Sequence, residues 1–408
     1  MQNNTRLWNN LLHMDTRTSG IEQILTRGVA EVLPTREFLE TQLQSGKQLT
    51  LYVGYDPTAS SLHIGHGITL LKLRDFQQLG HKVIMLIGDF TAMIGDPTDK
   101  LATRTKLTRE EVVENCKTYR EQAAHILDFG GENPAELRFN NDWLGKLTFH
   151  DIIELSSHLT VQRLMERDMF EKRVEEGKPI HLHEFLYPLM QGYDSVAMDV
   201  DGEVGGTDQI FNMLTGRDLM KTLKHKEKFV MATKLLVDES GKKMSKTEGN
   251  MIALSDSPED MFGKVMRFTD GMIVPGFELC TRIPMEEVHD IAKQMKTGVN
   301  PRDLKLRLAY EVTRQFSGEE AANKGREHFA AVIQHHEKPE DMPELKPSQY
   351  DVVTVLVEAG FVSSNSEARR AIDAGGVKIN DTVADGYEAP VQQGDVVQKG
   401  KRFFVTIV

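Results

Sequence analysis

The sequence predicts an α/β protein with a parallel sheet, followed by a helical region and a second, small α/β unit. Three observations carry this prediction. Residues 49–88 have the strand, helix and strand pattern of a βαβ unit. Residues 257–335 have mainly helical spacing. Residues 351–408 combine short helical and strand patterns after a segment with regularly spaced prolines.

The βαβ unit is the clearest part of the pattern. Leu49–Tyr55 is rich in β-branched and aromatic residues, as strands are. Apolar residues recur at close to helical spacing over 66–79, and Gly80 ends this predicted helix. Lys82–Gly88 is almost continuously apolar, as expected of a parallel strand that is covered on both faces.

Capping signals predict further helices on either side of this unit. Residues 1–48 are expected to be helical, with one helix beginning at Pro34, because proline is tolerated in a first helical turn. Thr108–Glu111 has the spacing of a capping box and predicts a helix that continues to about Asp128. Residues 150–176 also read as helical.

The second half of the chain begins with two strong helix starts. Ser257 and Asn300 each precede a proline and acidic residues, which favours a capped helix N-terminus. Prolines four residues apart among charged residues predict a semi-rigid linker at 334–348. Beyond it we expect two helices, then a strand at Val377–Asn380 and a last strand at Arg402–Ile407.

The composition is that of a globular protein and excludes several classes. The 408 residues include two cysteines, which excludes a disulfide scaffold and a cysteine zinc site and fits a reducing cytosol. No apolar run is long enough for a membrane-spanning helix, and the first residues lack the pattern of a secretory signal. The net charge of −12 argues against general binding of a polyanion. Nevertheless Arg217–Lys246 holds nine basic and four acidic residues, so a local basic patch is expected there.

The loop after the first strand carries the first chemical motif. It runs from Asp56 to His66 and includes His63 and Gly65, between a predicted strand and a predicted helix. Ligands of parallel sheets sit at the carboxyl ends of strands, and helix N-termini bind anions. Alone, the two histidines would be as consistent with an ordinary loop or half a metal site as with a phosphate site. Their position favours a phosphate site, in which the imidazoles donate hydrogen bonds.

A second motif, Lys242–Thr247, reads K-K-M-S-K-T between two glycines. Lysines three residues apart suit a triphosphate, although a solvated basic loop would look the same on its own. Together, H-x-G-H after a strand and a later K-M-S-K are the two signatures of class I aminoacyl-tRNA synthetases, which this sequence resembles.

Within that class the sequence is similar to bacterial tyrosyl-tRNA synthetases over essentially its whole length. The resemblance rests on four stretches in the family's order: Leu51–Thr58, Ile94–Pro97, Tyr187–Asp194 and Gly205–Gln209. It implies a Rossmann-like catalytic domain at 1–250, with an N-terminal helical extension and an inserted connective region. It also implies an α-helical anticodon-binding domain at 251–333, the linker at 334–348 and a small RNA-binding domain at 349–408.

The resemblance implies a role for each residue that matches a family motif. Tyr52 and Asp194 would bind the tyrosine phenol, Asp96, Tyr187 and Gln191 its ammonium, and Gln209 would lie near its carboxylate. A pocket that hydrogen-bonds a hydroxyl rejects the analogue without it, because its own polar groups would stay unpaired. The ATP contacts would be Asp56, Gly65, Thr69, Gly206, Asp208, Met244 and Ser245. The catalytic groups would be Thr58, His63, His66, Lys243, Lys246 and Thr247.

The implied reaction has two steps, with ATP and Mg²⁺. The tyrosine carboxylate attacks the α-phosphorus of ATP and releases pyrophosphate, and the tyrosyl group then passes to the 3′-terminal adenosine of tRNA(Tyr). The carboxylate is already ionised, so no general base is required. The family also implies a cytoplasmic homodimer without a membrane contact, and no resident metal is predicted.

The C-terminal region resembles a small RNA-binding domain that also occurs in a ribosomal small-subunit protein. The resemblance lies in Ser364–Arg370, Gly375–Asn380 and Gly400–Phe403. The RNA-binding residues would be Arg369, Arg370, Lys378, Lys401 and Arg402. Residues 351–408 hold six basic and eight acidic groups, so a docking domain is the alternative.

Two departures and three rival functions remain at this stage. Thr247 stands where the family motif has serine and keeps the hydroxyl, and Val53 stands where some relatives carry a cysteine near the ribose. A tryptophanyl-tRNA synthetase is disfavoured by Tyr52 and Asp194, because an indole has no hydroxyl to pair with them. The K-M-S-K motif disfavours another nucleotidyltransferase, and the retained His63 disfavours a non-catalytic RNA-binding relative.

Overall fold

The computed structural model describes residues 18–96, 107–238, 241, 251–331, 342–400 and 403–408. The chain divides into two compact units, Met1–Ala322 and Asn323–Val408. None of the helices in the described part has the length and apolar character that crossing a membrane requires.

The first unit is built on a six-stranded sheet. Its strands in chain order are β1 (Val29–Leu33), β2 (Thr50–Tyr55), β3 (Lys82–Ile87), β4 (Glu136–Phe139), β5 (Gly202–Gly206) and β6 (Phe229–Thr233). Their spatial order is β1-β6-β5-β2-β3-β4. Strand β1 is antiparallel to β6, and all other pairs are parallel. The predicted α/β fold with a parallel sheet is therefore confirmed.

The order of the strands positions the site. Strand β2 lies between two parallel neighbours, β3 on one side and β5 on the other. The chain leaves β2 towards β3 and returns later to form β5. A crevice opens at such a switch point, at the carboxyl ends of the strands. The loop that follows β2 begins at this crevice.

The described residues up to 329 contain sixteen α-helices. They are α1 (18–26), α2 (Arg36–Gln44), α3 (Ile64–Gln78), α4 (Arg109–Cys116), α5 (Tyr119–Ala123), α6 (Asn141–Leu144), α7 (Phe149–Ser156), α8 (Val161–Met165), α9 (Asp168–Glu175), α10 (Leu182–Met198), α11 (Ile210–Lys224), α12 (Pro258–Val265), α13 (Ile273–Cys280), α14 (Met285–Lys296), α15 (Pro301–Ser317) and α16 (Glu319–Phe329). Helix α3 packs on β2, β3 and β5, and α10 packs along α11.

Three of the recognised capping signals coincide with observed helix starts. Ser257 caps α12, Asn300 caps α15, and Thr108 forms the expected capping box with Glu111. Helix α4 nevertheless ends at Cys116, and the predicted helix over 150–176 is divided into α7, α8 and α9.

The prediction that residues 1–48 are helical throughout is wrong within its described part, and residues 1–17 lie outside that part. Thr35 caps α2, which begins at Arg36, so Pro34 lies just before the cap and not in the first helical turn as predicted. Val29–Leu33, however, is the edge strand β1. Its partner β6 lies about 200 residues later in the chain, so the pairing that stabilises it leaves no local signal.

The second unit has its own sheet and core. Its elements are β7 (Glu344–Leu345), α17 (Val352–Glu358), α18 (Asn365–Asp373), β8 (Val377–Ile379), β9 (Thr382–Val383), β10 (Val396–Lys399) and β11 (Phe403–Ile407). The strand order is β7-β11-β10-β8-β9. Both predicted helices are present, and α18 is capped by Ser364. The segment expected as a linker overlaps this unit, because Glu344–Leu345 pairs in parallel with β11.

Candidate active site

The two histidines of the first motif form the N-terminal cap of α3. The backbone N–H of Gly65 donates to Nδ1 of His63 over 3.1 Å, and the backbone N–H of His63 donates to Nδ1 of His66 over 3.1 Å. The two rings are stacked with their centroids 3.7 Å apart. A Cβ on Gly65 would lie 2.9 Å from the His63 ring, so glycine makes room for this arrangement.

These bonds determine which nitrogen of each ring carries the proton. Because both Nδ1 atoms accept, each neutral imidazole has its proton on Nε2. Burial, and secondarily the neighbouring His63, hold the pKa of His66 well below its usual value. His66 therefore stays neutral near pH 7 and can donate from Nε2 to an anion at the N-terminus of α3.

Side chains of α4 and α5 fix the loop between β2 and α3. Asn115 donates to the carbonyl of Pro57 over 3.0 Å, and the Tyr119 hydroxyl donates to the carbonyl of Ala59 over 2.6 Å. Gln122 accepts from the backbone N–H of Leu62 over 2.8 Å. The loop is thus held by side chains that local sequence reasoning did not single out.

The segment after the second motif is bonded directly to the first. The N–H of Ile64 donates to the carbonyl of Ile252, and the N–H of Leu254 donates to the carbonyl of Leu62. Residues 242–250 lie outside the described part of the chain. The predicted residues Lys243, Met244, Ser245, Lys246 and Thr247 therefore have no structural description.

Asp56 lies at the carboxyl end of β2 and connects two parts of the site. Its Oδ1 accepts from the Thr91 hydroxyl over 2.7 Å, and its Oδ2 accepts from the Tyr187 hydroxyl over 2.9 Å. Burial raises the pKa of Asp56 to about 7 and the charge of Asp96 adds to this rise, although the two hydroxyl donors oppose it. A Cβ on Gly88 would lie 2.0 Å from Oδ1 of Asp56, so glycine is required beside this carboxyl group.

Asp96 lies among a second group of polar side chains. Its Oδ2 accepts from Nε2 of Gln209 over 2.7 Å, and its Oδ1 lies 3.8 Å from a guanidinium nitrogen of Arg167. Arg167 is buried, stacks on Phe211 and, in the described structure, has two guanidinium nitrogens without a hydrogen-bond partner. Arg167 was missed by sequence reasoning, since it lies far from every recognised motif.

Asp194 is a buried acceptor held by two donors. Nε1 of Trp143 donates to Oδ1 over 2.7 Å, and Nδ2 of Asn140 donates to Oδ2 over 3.3 Å. Burial raises the pKa of Asp194 well above its usual value, although both donors oppose the shift. The Tyr52 hydroxyl is also buried, and its nearest hydrogen-bond partner is Oγ of Ser195 at 3.0 Å.

The remaining predicted residues of the first unit differ in position and in exposure. Tyr187, Gln191 and Asp194 lie on α10, as their spacing predicted. Thr58 and Asp208 are exposed, whereas Thr69 is buried. The Thr69 hydroxyl is hydrogen-bonded to the Tyr55 hydroxyl and to the carbonyl of His66. Gly206 ends β5, where a Cβ would lie 2.4 Å from a carboxylate oxygen of Asp208.

The predicted RNA-binding residues of the second unit are described only in part. Arg369 and Arg370 are exposed on α18, and Arg369 lies over the ring of Tyr387 at 5.4 Å. Lys378 is half-buried on β8, whereas Lys401 and Arg402 lie outside the described residues.

Comparisons with known proteins match the chain to two families. Residues 44–334 match the family model of class I tRNA synthetases (W and Y), and residues 352–397 match the S4 domain. The chain is 47% identical over 390 residues to the tyrosine–tRNA ligase of Thermotoga maritima, covering 94% of this chain and 96% of that protein. It is 45% identical over 386 residues to that of Haemophilus influenzae, covering 94% and 95%.

Two solved structures share the fold at lower identity. The C-terminally truncated mitochondrial tyrosyl-tRNA synthetase of Aspergillus nidulans has a TM-score of 0.65 and 23% identity, covering 78% of this chain and 93% of that one. The enzyme of Archaeoglobus fulgidus, solved with L-tyrosine, has a TM-score of 0.59 and 24% identity, covering 76% and 99%.

Proposed function

The chain belongs to the tyrosine–tRNA ligases of the class I aminoacyl-tRNA synthetases and has a C-terminal S4 domain, and from this premise we propose how its residues carry out the reaction. The family joins tyrosine to tRNA with ATP. The assignment of the tyrosine pocket rests mainly on Asp194. Its carboxyl group is buried and accepts hydrogen bonds from two side-chain donors.

We propose that Asp194 and Tyr52 recognise the phenol of tyrosine. Each carboxylate oxygen of Asp194 accepts one hydrogen bond in the free protein and has capacity for another. The substrate hydroxyl would donate to Asp194 and accept from the Tyr52 hydroxyl. Phenylalanine would leave both groups unpaired in a buried place, which is the physical basis of its rejection.

The ammonium of tyrosine would lie between Asp56 and Asp96. The Tyr187 hydroxyl, which donates to Asp56, and the amide of Gln191 would complete its surroundings. Gln209, whose side chain donates to Asp96, is proposed to lie near the substrate carboxylate. Two carboxylates near one ammonium account for selective binding of the zwitterion.

The phosphates of ATP would lie at the N-terminus of α3. The Nε2 protons of His63 and His66 and the hydroxyl of Thr58 would stabilise the charge that develops as pyrophosphate leaves. Lys243, Lys246 and Thr247 are proposed to act on the same phosphates, and the bonding of Ile252 to Ile64 supports this. Asp208, Gly206, Gly65 and Thr69 would contact the nucleoside, and Met244 and Ser245 are proposed ATP contacts as well.

Mg²⁺ is proposed to enter as part of the nucleotide substrate. Within the ranges that the structure describes, no cluster of three histidine, cysteine, aspartate or glutamate side chains could hold a metal ion.

The remaining domains are proposed to bind tRNA. Residues 251–333 would contact the anticodon arm, and residues 349–408 would contact RNA through Arg369, Arg370 and Lys378, together with Lys401 and Arg402. The exposure of the two arginines on α18 supports this. Binding through a few basic residues in an acidic protein should weaken as the salt concentration rises.

We further propose a cytoplasmic homodimer. Large apolar side chains are exposed in the stretch from α7 to the start of α10, namely Phe149, Ile153, Val161, Val174 and Leu182. Phe149 and Ile153 lie one helical turn apart on α7, and such a surface is typical of a protein interface. Sedimentation equilibrium of the protein and of a Phe149→Asp variant tests the homodimer.

Selectivity for tyrosine over phenylalanine tests the pocket assignment. The Asp194→Ala variant should lose most of its discrimination in ATP–pyrophosphate exchange. Asp89→Ala is the matched control, because Asp89 is also buried but is bonded to the backbone of Asn141 and to Arg109. Unchanged discrimination in Asp194→Ala would remove Asp194 from the pocket.

A further inference from the structure

A buried ion pair lies behind Tyr52 and Gln191. Lys228 and Glu203 are almost fully buried, and Nζ of Lys228 donates both to Glu203 and to Oγ of Ser195, the latter over 2.8 Å. Ser195 lies 3.0 Å from the Tyr52 hydroxyl, and Gln191 Nε2 donates to the second oxygen of Glu203 over 3.0 Å. The five side chains thus form one connected network.

Stability alone does not explain such a pair. Replacing a buried ion pair by well-packed apolar side chains is often neutral or stabilising. A glycine also provides the space for this ion pair, because a Cβ on Gly216 would lie 2.7 Å from Nζ of Lys228 and 2.9 Å from Oγ of Ser195. Both ends of the network contact residues that the proposed function places against tyrosine.

Lys228 determines the direction of the hydrogen bonds that reach Tyr52. An ammonium group can only donate, so it uses one acceptor position of the Ser195 hydroxyl. A hydroxyl that accepts from a cation becomes a better donor. Ser195 is therefore biased to donate to the Tyr52 oxygen, so the Tyr52 proton is directed away from Ser195. In the free protein the Tyr52 hydroxyl donates to the carbonyl of Gln191 over a long 3.4 Å, and it would donate to the phenol oxygen when tyrosine binds.

Glu203 determines the orientation of the Gln191 amide. A carboxylate can only accept, so it holds the NH₂ group of Gln191 towards itself. The amide oxygen is then turned away from Glu203 and is the atom left for other partners. An ammonium needs acceptors, and a flipped amide would present N–H groups to it instead.

We propose that Lys228 and Glu203 are positioning residues that set the hydrogen-bond polarity of the tyrosine pocket, Lys228 for the phenol and Glu203 for the ammonium. This inference rests on the proposed roles of Tyr52 and Gln191. Neither charged residue would touch the substrate. Each acts through a neutral side chain that does.

The two roles predict different kinetic effects, measured per active site after titration of the adenylate formed. Glu203→Gln leaves one acceptor oxygen for two donors, Lys228 and Gln191, so the orientation of the Gln191 amide is no longer fixed. The KM should then rise about tenfold for tyrosine and for phenylalanine alike, with their ratio unchanged. Lys228→Met removes the donor to Ser195, so selectivity for tyrosine over phenylalanine should fall at least about tenfold. Ser195→Ala breaks the same connection without removing a charge and should show the same loss of selectivity. It therefore tests the role of Lys228 even if Lys228→Met does not fold.

Lys72→Met is the matched control. Lys72 is equally buried and lies near Asp75, but it donates to the carbonyl of Ile24, away from the pocket. It should lower the thermal midpoint without changing KM or selectivity. Gln191→Ala and Tyr52→Phe serve as references for the pocket itself.

Normal KM and selectivity in Glu203→Gln and Ser195→Ala, with altered values in Gln191→Ala and Tyr52→Phe, would overturn the positioning roles and leave the pocket assignment intact. Normal values in the two reference variants would instead overturn the pocket assignment, and the positioning roles with it.

Discussion

Tyrosine binding should weaken as the pH falls from 8 to 6, because the free enzyme then protonates Asp56. Burial raises the pKa of this carboxyl group to about 7, with a further contribution from Asp96. At pH 6 about one molecule in eleven has an ionised Asp56, and at pH 8 about ten in eleven do. If only the ionised form accepts the substrate ammonium, the apparent Kd rises about tenfold between pH 8 and pH 6.

Equilibrium dialysis with labelled tyrosine measures this change directly. The ammonium favours the ionised carboxylate, so binding near pH 6 should also release close to one proton, which calorimetry in two buffers detects. Asp56→Asn should bind tyrosine more weakly and with a flat pH dependence. A Kd that is constant between pH 6 and pH 8 in the unsubstituted enzyme would refute the reasoning.

Three further outcomes follow from the same contacts. Since the pKa of Asp56 is raised on folding, its contribution to stability is full below pH 3.8 and is lost as the pH rises through about 7. Asp56→Asn should therefore stabilise the fold by up to about 4 kcal/mol at pH 8 and by about 2 kcal/mol at pH 5 in urea unfolding, and an equal gain at both would contradict this. Trp143→Phe removes the 2.7 Å donor to Asp194 and should raise the KM for tyrosine about tenfold without changing that for ATP, whereas equal changes would indicate a general distortion. Removal of residues 342–408, which include the paired strand Glu344–Leu345, should reduce tRNA charging but leave ATP–pyrophosphate exchange, and parallel loss of both would indicate a structural role instead.

Local sequence signals were sufficient for the part of the site that is built locally. The strand β2, the following loop and the capped helix α3 are consecutive in the chain, and the histidines that cap α3 are three residues apart. Their arrangement could be predicted because the strand end, the cap and the helix start use the same few consecutive residues. The helix starts at Ser257 and Asn300 were found for the same reason.

Long-range pairs could not be predicted in this way. Asn140 and Trp143 follow the short strand β4, which has no clear pattern, and they reach Asp194 only through the fold. Glu203 is a charged residue within the buried strand β5, and Lys228 directly precedes the buried strand β6, but nothing local shows that they pair. The roles of Tyr52 and Asp194 came from the resemblance to a family, since neither residue lies in a motif with a chemistry of its own.

ATP–pyrophosphate exchange by the purified protein, with tyrosine, phenylalanine and tryptophan offered separately, tests the central claim most directly. Tyrosine is predicted to stimulate exchange strongly, because it alone can pair its hydroxyl with Asp194 and Tyr52. Phenylalanine and tryptophan should give exchange near the background. Exchange that depends on either of those two and not on tyrosine, in folded protein, would contradict the account.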